Sequence, residues 1–192
     1  PRRLSVHQLR RPRRSPRRPH RPNRSLQGRW WISSSGVPGG AEISPYGEFT
    51  QTQEQVHGGQ YAGKLTYQFP AAGDDYVVFV QPHAAGGQPD AFSAWVYGDG
   101  SGQYLNLWVA DAQDEIWSVH LGSVGGGGWQ QMSGSLAPGS AWPSGHVSGP
   151  DNGVVDYPVR FYAIVLDRPA DNPLQGTIYV DEIRAWAQGA MA

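Results

Sequence analysis

From Tyr61 onward the chain runs in short stretches of alternating apolar and polar residues, and no stretch keeps a capped 3.6-residue period. This limits the fold sharply. Successive side chains of a strand point to opposite faces, so a period of two marks strands with one face buried. Tyr61, Gly63, Leu65, Tyr67 and Phe69 share one side of a first run, and Tyr76–Val80 is continuously apolar. Phe92, Ala94 and Val96 alternate with Ser93, Trp95 and Tyr97. Leu105, Leu107 and Val109 alternate with Tyr104, Asn106 and Trp108. Glu115–Leu121, Val159–Leu166 and Thr177–Trp186 read as further strands. Turn signals separate them at Ala72-Gly73-Asp74, Gly86-Gly87, Gly98-Asp99-Gly100, Asp111–Asp114, Gly125–Gly128, Asp151-Asn152-Gly153 and Asp171-Asn172-Pro173. Some eight or nine strands with such turns predict an all-β fold, a two-sheet antiparallel β-sandwich or jelly roll. The stretch from Ser133 to Pro158, rich in Gly, Pro and Ser, reads as one long loop of the kind that often carries function.

Charge divides the chain. Residues 1–29 hold eleven of the fifteen basic residues, all Arg, and no acid. Residues 30–192 hold all sixteen acids against Lys64, Arg160, Arg168 and Arg184. The first segment, rich in Arg, Pro and Ser, has too little apolar content to offset the entropy of ordering, and is expected to lie outside the fold. It reads as a linker, a fusion remnant or an out-of-frame stretch, with a nucleic-acid arm as the alternative. Asn23-Arg24-Ser25 matches a glycosylation sequon, a pattern short enough to recur by chance. The acidic body does not look like a nucleic-acid binder. With no cysteine, disulfides and thiolate metal sites are excluded. No apolar run approaches the roughly 20 residues that span a bilayer, so no membrane insertion is expected, and no apolar export-signal core is visible near the start.

Several motifs point toward catalysis and fall short of it. Gly58-Gly59-Gln60-Tyr61-Ala62-Gly63-Lys64-Leu65 approaches a phosphate-binding loop, but Leu65 stands where a Mg²⁺-binding hydroxyl belongs, and a strand follows where a helix should. Gly98-Asp99-Gly100-Ser101-Gly102 reads as a turn between two strands. There is no Gly-x-Ser-x-Gly elbow, and His57, His83, His120 and His146 are scattered. Asp99, Asp111, Asp114, Glu115, Asp151 and Asp156 could supply a hydrolytic carboxylate pair, but their positions read as solvated turn acids. The chain is therefore expected not to be an enzyme.

The aromatics point elsewhere. Sugar rings pack apolar C–H faces on aromatic rings and exchange hydrogen bonds with polar neighbours. Tyr104, Asn106 and Trp108 on one strand face, with Trp95 and Tyr97 beside Ser93 on the preceding strand, form such a mixture. Trp142 adds an aromatic in the long loop, and Arg160 and Tyr162 are secondary candidates.

Tyr61-Ala62-Gly63-Lys64-Leu65-Thr66-Tyr67-Gln68-Phe69, Asp75-Tyr76-Val77-Val78-Phe79, Ala94-Trp95-Val96-Tyr97-Gly98-Asp99-Gly100-Ser101-Gly102, Leu107-Trp108-Val109-Ala110-Asp111 and Gly176-Thr177-Ile178-Tyr179-Val180-Asp181-Glu182-Ile183 occur in that order. Together they resemble a carbohydrate-binding module of the galactose-binding-like jelly-roll superfamily, over roughly Trp30 to Trp186. The resemblance implies a non-catalytic domain (residues 30–192) that tethers a larger secreted or surface protein to a polysaccharide or glycan. It also implies an extracellular or cell-surface location. The alternative is a structural or protein-interaction module without sugar binding. The resemblance further implies a structural calcium ion held by Asp181 on the last strand and by an early loop, through Glu54, Gln60 or the backbone around Gly58. Trp30-Trp31-Ile32, followed by a Gly/Pro/Ser stretch, departs from the usual first strand.

Overall fold

A computed structural model of the chain describes residues 47–69, 75–169 and 171–187. The Arg-rich segment, Trp30-Trp31-Ile32 and the expected turn at Ala72-Gly73-Asp74 lie outside them. The described residues form ten strands: β1 (Gly47–Thr52), β2 (Ala62–Gln68), β3 (Asp75–Ala84), β4 (Ala91–Tyr97), β5 (Tyr104–Ala110), β6 (Ile116–Ser123), β7 (Trp129–Ser135), β8 (Gly145–Ser148), β9 (Arg160–Arg168) and β10 (Gln175–Trp186). One five-stranded sheet has the order β1-β2-β10-β4-β7, the other β3-β9-β5-β6-β8. Every pairing is antiparallel. Among the described residues no helix is long and apolar enough to cross a membrane. Consecutive strands pair only in β1–β2 and β5–β6. Most other connections cross between the sheets, which is how the jelly-roll sandwich closes two layers over one core.

The alternation read from the sequence is what fills that core. Leu65 and Tyr67 from β2, Phe92, Ala94 and Val96 from β4, Leu105, Leu107 and Val109 from β5, and Ile178 and Val180 from β10 meet between the sheets, with Phe79, Trp117, Ile164 and Leu166. Side chains of this size each contribute about 1.5–3 kcal/mol when fully buried.

The structure differs from the sequence reading in three places. β1, β7 and β8 were not foreseen, because Gly47–Thr52 gives the core one large apolar side chain, Phe49, Trp129–Ser135 turns only Met132 and Gly134 toward it, and Gly145–Ser148 is only four residues long. The Ser133–Pro158 loop is therefore shorter than expected and contains a strand. Gly98–Gly102 is not a hairpin turn, since it carries the chain from β4 in one sheet to β5 in the other. Its positive φ values fall on Gly100 and Gly102 (75° and 72°), not on Asp99. Asp99 instead accepts hydrogen bonds from the Tyr67 hydroxyl and the Ser101 amide.

Candidate functional site

The outer face of the β3-β9-β5-β6-β8 sheet carries the strongest candidate site. The parity of each strand decides which side chains it shows. Residues alternate with the core set, so Tyr76, Asp167 and Tyr104 lie side by side across β3, β9 and β5. The next row is Val78, Val165, Asn106 and His120, and the next is Val80, Ala163, Trp108 and Ser118. A second apolar cluster of Val78, Trp108, Ala110, Ile116, Ala163 and Val165 forms the floor, with Tyr76, Val80, Val147 and Tyr162 packed around it.

Above that floor runs a polar line. Asn106 Nδ2 donates to Asp167 Oδ2, and His120 Nδ1 lies 2.7 Å from Asn106 Oδ1. With the amide nitrogen committed to Asp167, the amide oxygen must face the ring, so the imidazole donates from Nδ1 and a neutral His120 keeps Nε2 as an acceptor. Burial lowers the His120 pKa, which favours that neutral form. Burial also pushes the Asp167 carboxyl up to about 7, against the opposing effect of the Asn106 amide. Tyr76 is raised by burial and by the Asp167 charge beside it.

Trp142 stands at the edge of this face, 68% exposed. Its ring centroid is 5.6 Å from that of Tyr104, which in turn meets His120 edge-on at 5.0 Å. The loop is held there by the Ser118 hydroxyl, which donates to the Pro143 carbonyl at 2.7 Å. The result is an exposed indole, two further rings and a fixed donor–acceptor line on one sheet face. Such a surface can stack a flat apolar ring face and exchange hydrogen bonds with its hydroxyls.

The structure therefore gathers Tyr104, Asn106, Trp108, Trp142 and Tyr162 on one side and corrects their roles. Trp108 is 7% exposed and Asn106 1%, so the indole is floor and the amide is a positioning group; neither is an open platform. Arg160 turns away to the Asp111 carbonyl (3.3 Å) and the Asp114 carboxylate (2.5 Å). Trp95 and Tyr97 do not share this face, because β4 belongs to the other sheet. There Trp95 is stacked by His57 at 3.9 Å, and Tyr97 meets Trp129 and Tyr179 edge-on. His120, Asp167 and Tyr76 were missed by the sequence reading. Asp167 lies one residue beyond where the apolar run of β9 stops, and His120 drew notice only as one of four scattered histidines.

The acids also need correction. Asp111 and Glu115 are fully buried, not solvated turn groups. Asp111 accepts from the amides of Gln113, Glu115 and Asp156 and from the Trp117 indole, which makes it a structural knot. The resemblance brought Asp181 together with the early loop, and the structure does so as well, but through N–H groups. Asp181 Oδ2 accepts from the His57 and Gly58 amides, each at 3.0 Å, and Oδ1 from Glu182 N. Glu54 is taken up by Lys64 and Tyr179, and Gln60 is exposed. Calcium needs six to eight oxygens, so this arrangement does not fit it. A different group, Glu115, His146 and Asp151, brings one possible ligand atom from each residue to within 4.8 Å of the others.

No family model and no curated protein sequence matches the chain. Solved structures do. A family 11 carbohydrate-binding module from Clostridium thermocellum, in complex with a beta-1,3-1,4-mixed-linked tetrasaccharide, aligns with a TM-score of 0.50 at 12% identity, over 73% of this chain and 82% of that one. The fold is that of carbohydrate-binding modules. A module described as TmCBM61, bound to beta-1,4-galactotriose, aligns at 12% identity with a TM-score of 0.45, over 83% of this chain and 88% of that one. A structure of carbohydrate-binding modules of the β-sandwich superfamily aligns at 14% identity with a TM-score of 0.47, over 72% of this chain and 52% of that one, so the chain spans about half of its length.

Proposed function

We propose that residues 30–192 are a non-catalytic carbohydrate-binding domain that docks a polysaccharide on the outer face of the β3-β9-β5-β6-β8 sheet. One observation carries this reading: Trp142 is exposed beside Tyr104 and His120, on the same face as the His120–Asn106–Asp167 line. Trp142 and Tyr104 stack the sugar, while His120 and Asp167 set the hydroxyl contacts and Asn106 holds them in place. The domain tethers a larger extracellular or surface protein to its glycan. Among the described carboxylates named above, Asp99, Asp111, Asp114 and Asp156 are engaged in hydrogen bonds within the chain, which supports a binding role over hydrolysis.

Affinity electrophoresis of the full chain against a polysaccharide panel that includes mixed-linked β-1,3-1,4-glucan and β-1,4-galactan tests this. Retention by at least one polysaccharide is expected. Trp142→Ala and Tyr104→Ala should each weaken it about tenfold, the equivalent of one stacking contact. A folded chain that no polysaccharide retains would favour the protein-interaction reading, and retention indifferent to both substitutions would move the site elsewhere.

A further inference from the structure

Glu115 is the most anomalous side chain of the described residues. It has no solvent exposure, and neither carboxylate oxygen accepts a hydrogen bond. A carboxylate taken out of water without a compensating partner is strongly disfavoured. Its surroundings are built rather than accidental. Its own amide is tied to Asp111 Oδ1. The loop beyond β8 lies over it so closely that a Cβ on Gly149 would come within 2.8 Å of the Glu115 Cα. His146, on β8, rests edge-on against Trp117 at 5.7 Å. Its Nε2 is 3.4 Å from Glu115 Oε1, and its Nδ1 is 3.8 Å from Asp151 Oδ1. Asp151 is held with a φ of 56°, a left-handed conformation that places its carboxylate in the same loop.

We propose that Glu115, His146 and Asp151 form a binding site for a divalent transition-metal ion of the zinc type. A cation is what the orphaned carboxylate lacks. A 3.4 Å nitrogen–oxygen spacing is about the donor–donor distance of a tetrahedral zinc centre, whose bonds are about 2.0–2.2 Å. With Nε2 as the ligand, Glu115 already faces the ion, and the exposed Asp151 carboxylate, beside Nδ1 when no ion is bound, turns in to complete the set. One imidazole nitrogen and two carboxylates suit zinc and its neighbours, leaving a fourth position for water, whereas calcium would be short of oxygens. An imidazolium bridging the two acids is the competing arrangement, but the 3.4 Å approach lacks hydrogen-bond geometry and leaves Oε2 with nothing. Bound metal would fasten the β8 edge and its following loop to the start of β6. The site uses no residue of the glycan face, so it stands or falls independently of that reading.

The test is equilibrium dialysis of the full chain, first stripped with chelator, against zinc and separately against calcium, with metal counted per chain and the melting temperature followed. One zinc per chain is expected, with melting raised by about 5–10 °C at a hundredfold excess over Kd. His146→Ala should abolish binding. Asp151→Asn, at an exposed side chain whose left-handed backbone asparagine also adopts, should weaken it at least tenfold. Glu115→Gln is the direct substitution, but it alters a buried group, so Asp151→Asn carries the decision. Zinc uptake undiminished in His146→Ala would place the metal elsewhere, as at His57 and Glu182, and overturn the assignment. No uptake at millimolar metal, or a preference for calcium at this site, would overturn it as well.

Discussion

Asp167 shows how one residue on the proposed glycan face ties the site to stability. Its folded pKa, about 7, lies well above the 3.8 of an ordinary Asp because burial penalises the charge. The sign follows from proton counting. Between about pH 4 and 7 the folded chain binds a proton at Asp167 that the unfolded chain has lost. The group therefore favours folding below pH 4, and that advantage drains away as pH rises through 7. His120 runs the other way: its lowered pKa favours the folded state above about pH 6.5 and is lost as pH falls. The two trends partly cancel in the wild type, so the variant must isolate one of them. Asp167→Asn keeps an acceptor for the Asn106 amide and cannot ionise. Denaturant melts from pH 4 to 8 should show the Asp167→Asn variant gaining stability over the wild type as pH rises. A difference independent of pH would mean that Asp167 titrates normally.

Elements decide how near the two sheets come, and here glycine matters. Gly134 of β7 pairs with Phe92 of β4 and faces β6 in the opposite sheet. A methyl group there would land on the His120 carbonyl oxygen and press on Val119 Cγ1 at 3.0 Å. Gly134→Ala should thus cost about 1–3 kcal/mol by forcing the layers apart beneath His120. Gly86, with nothing within 4 Å of an added methyl, should accept Ala without loss and serves as the control. Thermal or urea unfolding of the pair decides it; equal behaviour would mean that the β6–β7 edge is loosely packed. The same elements show what the sequence could reveal. Period two located β2, β4, β5, β6 and β10 through the face each turns to the core, while β3 and β9 were located as apolar runs, because both of their faces are buried. It could not tell which sheet a strand joins. β4 and β5 are adjacent in the chain and alternate alike, and only long-range pairing with β10 and β9 parts them. For that reason Trp95 and Trp108 read as one platform when they lie on opposite sides of the molecule. Burial of polar groups was equally hidden: Asp111 and Glu115 have turn-like neighbours, and what buries Glu115 is a loop around Gly149, far along the chain.

At the scale of the whole molecule, the sandwich shows aromatic residues on both outer faces, and the two differ in kind. On the β1-β2-β10-β4-β7 sheet, Lys64, Tyr179, Tyr97 and Trp129 form one row across four strands. His57 stacks on Trp95 in the next, and also meets Trp129 edge-on at 5.6 Å. A ring already covered by another ring offers less of its face to a sugar. On the opposite sheet Trp142 is open over a floor made by buried residues, so the rigid part of the site is paid for by folding and the ligand need order only the edge. The core separates the faces, and substitutions that share no partner add independently. Trp95→Ala should therefore leave polysaccharide affinity within about twofold, Trp142→Ala should lower it about tenfold, and the double variant should match Trp142→Ala within the same twofold margin. Isothermal titration of the three variants with one retained polysaccharide would decide which face works. If Trp95→Ala removes binding while Trp142→Ala does not, the glycan lies on the β4 side, with His57 moving aside to admit it. If each substitution removes about half of the bound ligand, the domain holds two sugar chains at once, and its tethering would be bivalent.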